Sequence, residues 1–485
     1  MPTLNCSTAD LSPYVPGTDR PWNAARVAHL YRRLGYGADL ATRTAALAAD
    51  PEQLVADLLA AAQAAPPPPV PAWADWEYDD YPADEFFEVR EAQFAEWVGV
   101  FFEDLRAHPL RTKLFMFWHG HFVTEFQAYD CPAYLYGYTS LLRAQAFGNF
   151  KTLVREIGLC DAMLVYLNGA ENSKYAPNEN YARELYELFT LGADNGYTQQ
   201  DIEETARALT GHTAWLAFCG SIGFLETDHD TGPKTIFGDT ANHDYDSVID
   251  LLFEVRATEI SEFICGKLYR HFVHPQADAA IVAELAATFR AANWELAPVY
   301  AQLFRSAHFF DGAVLGIRIS DPLEFLFALP RELGYESTQL SAEERYWYLD
   351  ALGMLLFNPP NVAGWPGNRS WISTSLLTAR WRVANLVIID AYSADPNVFL
   401  DLAVALVGGI DESDPAVVAT ALVDHLLPGG LTNPMEYERA TTVFRSDVPE
   451  YYYNTGQWNL AFEYAPLQVA QLINHLVRLP EYALI

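Results

Sequence analysis

Residues 198–211, TQQDIEETARALTG, carry a complete helix signature. Thr198 stands as a hydroxyl cap before the run, and Asp201 occupies the third helical position, close to a capping box. Ile202, Ala206 and Leu209 recur at helical spacing and form one apolar stripe, and Gly211 closes it. The same period extends both ways along the chain. In 22–34 (WNAARVAHLYRRL), Val27, Leu30, Tyr31 and Leu34 share a side, with Gly35 as the C-cap. Residues 51–62 give a short amphipathic helix, and 89–117 a long helical pattern. Tyr181, Leu185, Leu188 and Phe189 form one face of a helix that ends at Gly192. Further helices are predicted at 247–253, 259–272, 277–292, 296–305, 322–333, 342–356, 375–392, 395–406, 416–426 and 466–476. Strand-like alternation is brief, around 220–226, and no internal repeat is present.

The pattern predicts a predominantly α protein, a large multi-helix unit with long irregular loops and little sheet. Residues 1–63 form an N-terminal helical segment. Residues 64–88 are a connector, first polyproline-like (AAPPPPVPA) and then acidic and aromatic. The main helical domain is 89–485, and all three segments are expected in one compact unit.

Composition limits the partners. Of 485 residues, 51% are apolar and 14% aromatic, enough for a large core and too hydrophobic for disorder. Thirty basic against 63 acidic residues give a net charge of −33, which repels phosphate backbones and anionic lipid. Nucleic-acid binding is therefore not expected. No apolar run approaches the ~18 residues of a transmembrane helix. Cys6, Cys131, Cys160, Cys219 and Cys265 are widely spaced and form no disulfide framework. One bridge remains open to them, and most read as small buried hydrophobes. The first residues show no signal peptide. The chain as written reads as cytoplasmic, or as exported with its leader removed.

Three clusters carry the residue types that bind metals or move protons. The first is 118–122, WHGHF. His119 and His121 chelate one ion only from a strand or irregular turn, which Gly120 permits. The competing reading has one histidine capping the long helix and the other stacked among Phe117, Trp118 and Phe122. The second cluster is 178–184, NENYARE. Asn180, Glu184 and Glu187 share a helical face, Arg183 is placed to pair with Glu187, and Glu179 sits where the helix dipole favours a carboxylate. The third, Asp228-His229-Asp230 with Lys234 beyond it, reads as a turn bearing metal ligands or as a solvated acidic loop. Residues 358–371, NPPNVAGWPGNRSW, form a rigid two-tryptophan loop suited to a pocket wall or to connecting helices.

Taken together, AARVAHLYRRLGYG, FWHGHF, NENYARELYELFTLG, YTQQDIEETARALTG, HDTGPKTIFG, PPNVAGWPGNRSWI and LPEYAL resemble, in order, the bacterial domain of unknown function 1800 family. The resemblance covers essentially the whole chain. It implies one mainly helical unit, often exported, and often encoded beside a partner from a sister family related to alkaline phosphatases and sulfatases. The positions carried over are His119, His121, Asn178, Glu179, Asn180, Arg183, Glu184, His229, Asp230, Lys234, Asn361 and Trp365. Gly120 departs from the family's usual Asn, and His212 from its usual Trp or Tyr after ALTG.

Two functions follow as expectations. The first is a metal-dependent hydrolase. His119, His121, His229 and Glu184 would hold a divalent ion (Zn, Mn or Fe), with Glu184, Arg183 and Asp230 catalytic. Asn180, Lys234, Asn361 and Trp365 would line the substrate pocket, and an oxygen-activating iron or manganese enzyme is its in-class rival. The second is a non-catalytic binding or assembly protein in which the polar motifs are buried networks. The first reading requires three of the four metal residues to meet, with the Trp365 loop bordering them.

Overall fold

Proline 109 sets the layout at the centre of the molecule. The long pattern of 89–117 is two helices, Phe86–Ala107 and Pro109–His119. A proline inside one continuous helix would lack a donor and clash with the carbonyl four residues back. Here it starts a second helix at the N1 position, where no donor is needed, and His108 turns between them at φ −133° and ψ 60°. The second helix packs on Pro51–Ala64, Phe86–Ala107 and Pro132–Gln145 and carries Trp118, fully buried.

The computed structural model describes residues 9–215, 218–335 and 340–485. Within them the chain is predominantly helical. Gln199–Ala208 begins with the expected box closed on both sides: Asp201 N donates to Thr198 Oγ1 (3.2 Å) and Thr198 N to the Asp201 carboxylate (2.8 Å). Gly211 follows at φ +107°, and a Cβ there would stand 2.7 Å from the Phe224 ring, so this turn requires glycine. The segment after Asn178 departs from a plain helix. One α-helical turn, Asn180–Glu184, runs into a π-helical turn, Leu185–Thr190, an irregularity that recurs at functional sites. Leu40–Ala48, Pro132–Gln145, Phe150–Ile157 and Pro434–Arg445 are helices that periodicity alone did not reveal. Asp39, Asn149 and Asn433 cap three of these.

Extended structure among the described residues amounts to two antiparallel ribbons and a few isolated bridges. Ala214–Trp215 pairs with Ile222–Gly223, inside the span where alternation was read, and Lys234–Ile236 pairs with Asp239–Ala241. The second ribbon is fastened to Gln199–Ala208 by Phe237 N donating to Asp201 Oδ1 at 2.7 Å.

One contiguous apolar cluster extends from Leu11 to Tyr482. It takes in Val55, Leu59 and Ala62 before the proline stretch, Trp73 just after it, and Leu402, Leu422 and Ile473 near the end. Cys131 and Cys219 form a disulfide, Cα–Cα 5.6 Å, joining the start of Pro132–Gln145 to the loop of the first ribbon. Cys160 is half-buried and free, Cys265 buried and free, and Cys6 lies outside the described residues. No helix among the described residues is long and apolar enough to cross a membrane.

The charges divide unevenly. Among the described residues ten basic side chains are buried, against three acidic ones, Asp201, Glu324 and Glu332. The surface is therefore more acidic than the sequence as a whole, and the interior is basic.

Candidate functional site

His119 ends the central helix with its ring enclosed. Tyr138 Oη donates to Phe122 O at 2.6 Å, so its lone pairs accept from His119 Nδ1 at 2.8 Å. That fixes the hydrogen on Nδ1 and leaves Nε2 a bare acceptor, buried and unpartnered among the described residues. Phe115 stacks on the ring, and Phe357 and Trp365 close over its edges at 5.6 and 5.5 Å. Burial lowers its pKa to about 3, so the imidazole is neutral.

His121 faces another way. Its ring neighbours are Phe117, Trp118, Phe122, Phe150, Phe189 and Phe263, whereas the His119 ring packs on Phe115, Tyr138, Phe357 and Trp365. Its Nε2 donates to Phe189 O (3.0 Å), a carbonyl of the π-helical turn, and its Nδ1 accepts from Lys267 Nζ (2.8 Å). Both ring nitrogens are engaged. Lys267 has no carboxylate partner among the described residues. Burial, with Arg270 nearby, lowers its pKa to about 8.

The second cluster is a half-exposed ionic network. Arg183 reaches Glu179 (2.9 Å), Glu187 (3.4 Å) and Gln199 Oε1 (3.1 Å). Asn180 Nδ2 donates to Asn168 (3.2 Å), and Asn180 N to Asn178 Oδ1 (2.9 Å). The Glu184 carboxyl makes no hydrogen bond or ion pair among the described residues. Burial and then Glu187 raise its carboxyl above the usual range, against Arg183. It lies in electrostatic reach of Tyr166, whose hydroxyl donates to Glu125 Oε1 at 3.0 Å.

The third cluster is tied into its own loop. Asp230 binds Arg207 Nε (2.8 Å) and Gly232 N (2.8 Å). Lys234, 1% exposed, donates to Asp230 O, His243 O (2.8 Å) and Asn242 Oδ1 (3.4 Å). His229 Nδ1 donates to Thr210 O at 2.8 Å, with Phe224 against its ring. His212 lies nearby. Burial, then His229, lowers its pKa.

The tryptophan loop comes down on the first cluster. Asn361 Oδ1 accepts from Ala363 N within the turn (2.9 Å). Gly364, φ +80°, passes so close that a Cβ would meet Gly120 O at 2.9 Å. Trp365 thereby borders His119.

The structure thus brings Trp365 to His119, and Phe189, in the π-helical turn that follows the second cluster, to His121. It does not gather His119, His121, Glu184 and His229. No group of three or more His, Cys, Asp or Glu among the described residues is placed to hold a metal ion. The obstacle is local: the helix end turns the two histidines apart, and His121 lacks a free nitrogen. Lys267, Tyr138 and the Glu125–Tyr166 pair complete these surroundings, and sequence reading missed all of them. No motif links Lys267 to His121 across 146 residues, and only its place one turn before His271 on an amphipathic helix singles it out.

A family model described as protein of unknown function (DUF1800) matches residues 29–484. No curated protein and no solved structure matches the chain.

Proposed function

The chain belongs to the DUF1800 family, and we propose that it is a binding or assembly protein whose polar motifs hold its fold. One observation carries this reading. His121, Arg183, Asn180, Asp230, Lys234 and Asn361 all direct their side chains to partners within the chain. Among the described residues, the Glu184 carboxyl and His119 Nε2 are what they leave over. Recognition then falls to the surface, where Tyr78, Phe87, Trp347, Trp381, Tyr451 and Tyr464 are exposed on a strongly acidic exterior. Such a surface suits a protein partner with a basic contact face. The sister-family protein implied by the resemblance is the candidate. The Cys131–Cys219 disulfide favours an oxidising compartment, and with it export.

A second reading, a hydrolase, is favoured by Glu184. A partly buried, unpaired carboxyl with a raised pKa beside the Glu125–Tyr166 pair has the makings of a general acid. A divalent metal ion is not part of that reading, because His119, His121, Glu184 and His229 do not form one centre.

Elemental analysis of the purified protein, with His119→Ala alongside, separates the two original expectations. Metal-free, fully stable wild-type protein that forms a salt-sensitive complex with the sister-family protein supports the binding reading. Stoichiometric metal lost in the variant overturns it.

A further inference from the structure

Arg33 is fully buried, and its guanidinium is left short of partners. Nη2 donates to Val314 O at 3.2 Å, while Nε and Nη1 meet no acceptor and no carboxylate pairs with it among the described residues. Arginine does not escape by losing its proton. A buried guanidinium with unmet donors is strongly destabilising unless something accepts from it.

Its surroundings sharpen the problem. Arg318 and Lys113 both bind Glu324 Oε1, so that carboxylate already answers two cations. Lys113 also donates to Gly35 O at 3.1 Å, and Glu324 Oε2 accepts from Asp321 N at 2.7 Å. Arg318 Nε and His271 Nε2 are also buried without partners. Arg33, Arg318, Lys113 and His271 interact electrostatically with one another around Glu324, with Asp321 as the second carboxylate. Four fixed cations, Arg33, Arg318, Lys113 and Arg380, therefore face two carboxylates, and the unmet donors of Arg33 and Arg318 are N–H groups, with the Tyr36 hydroxyl also unpartnered among the described residues beside these carboxylates. A water answers a donor but not a charge. A single monovalent anion answers both.

We infer that Arg33, with Arg318 and His271, forms an interior binding site for a small monovalent anion of the halide class. The ion accepts from Arg33 Nε and Nη1 and neutralises one surplus cation. It thereby joins helix Ala24–Arg33 to the segment before Pro322–Glu332 and to helix Ala257–Phe272. This proposal concerns the family-like motif AARVAHLYRRLGYG and is independent of the surface function proposed above.

The test uses the full chain. Thermal unfolding is followed while sodium gluconate is replaced by sodium chloride at constant ionic strength. Chloride should raise the midpoint by roughly 2–4 °C and then saturate, as ligand linkage requires. Arg33→Gln should abolish the response. Should that variant fail to fold, wild-type crystals grown in bromide decide the matter, with an anomalous peak expected against Arg33 Nε and Nη1. Equal behaviour in both salts, or water without anomalous signal at Arg33, overturns the site.

Discussion

Two arginine–glutamate clusters, Arg32–Glu332–Arg43 and Glu179–Arg183–Glu187, use the same side chains in opposite surroundings. Arg32 grips Glu332 with two parallel bonds of 2.7 and 2.8 Å, and Arg43 adds a third at 2.6 Å. Glu332 is wholly buried, and His425 Nε2 donates to its backbone carbonyl at 2.8 Å. Arg183, by contrast, is about a third exposed and pairs with carboxylates one turn away on its own helix. The first cluster joins three distant parts of the chain, whereas the second joins neighbours that the helix already holds. A buried cluster is therefore costly to break although it contributes little relative to an apolar replacement, and an exposed one is nearly free to lose.

Glu332→Gln is the severest test of that contrast. The shape survives, but Arg32 and Arg43 lose the one carboxylate paired with them among the described residues, and stability should fall by about 3–5 kcal/mol in urea denaturation. A loss no larger than that of a surface mutation would mean that water reaches this cluster.

His119 gives the next effect. Its folded pKa of about 3 lies below the unfolded 6.5, so the unfolded chain binds the extra proton between those values. The stability due to neutral His119 is complete above pH 6.5 and declines as the pH falls towards 3. Other buried histidines, His29, His121 and His271, are shifted the same way and add to the slope. His119→Gln should reduce the slope by one proton, about 1.4 kcal/mol per pH unit, measured by denaturation between pH 6.5 and 4.5. An unchanged slope would place a proton-accepting partner on Nε2.

The contrast also explains what was legible beforehand. Helix positions follow from local spacing, so Thr198, Ile202 and Gly211 revealed Gln199–Ala208 directly. The Arg183–Glu187 pair was legible for the same reason, since helical geometry fixes which residues lie one turn apart, whereas Glu179 was read as a helix-dipole carboxylate and its pair with Arg183 was not foreseen. Arg32 and Arg43 meet Glu332 across 300 and 289 residues, and nothing local announces it. The π-helical turn at 185–190 looks like ordinary periodicity in a sequence. Yet it forms part of the wall where Phe189 O takes His121 Nε2–H, removing that histidine from any ligand set. Trp365 lies against His119 without the gathered pocket it was expected to border, because a loop dense in glycine and proline is rigid enough to pack against a core helix.

Arg183→Ala should cost no more than about 1 kcal/mol, with added salt shrinking the difference. Arg183→Lys should be milder still, because neither ion pair relies on a bidentate fork. A large loss from either change would mean that this helix face is covered by something other than solvent.

The smallest expected effect is also the most discriminating. Glu184 differs from both clusters, half-buried like the second yet without an ion pair among the described residues. Burial and the neighbouring Glu187 both disfavour its charge, which is why its pKa is raised. A raised carboxyl pKa means the folded chain holds its proton more tightly than the unfolded one, so the ionised form works against the fold near neutral pH. Glu184→Gln removes that charge and keeps the shape. It should leave stability unchanged or slightly higher, by about 0.5 kcal/mol at most after solvent screening. Under the binding reading, complex formation with the sister-family protein survives the substitution as well. If the variant is as stable as the parent yet loses a hydrolytic activity that the parent shows, the second reading prevails and Glu184 is its acid.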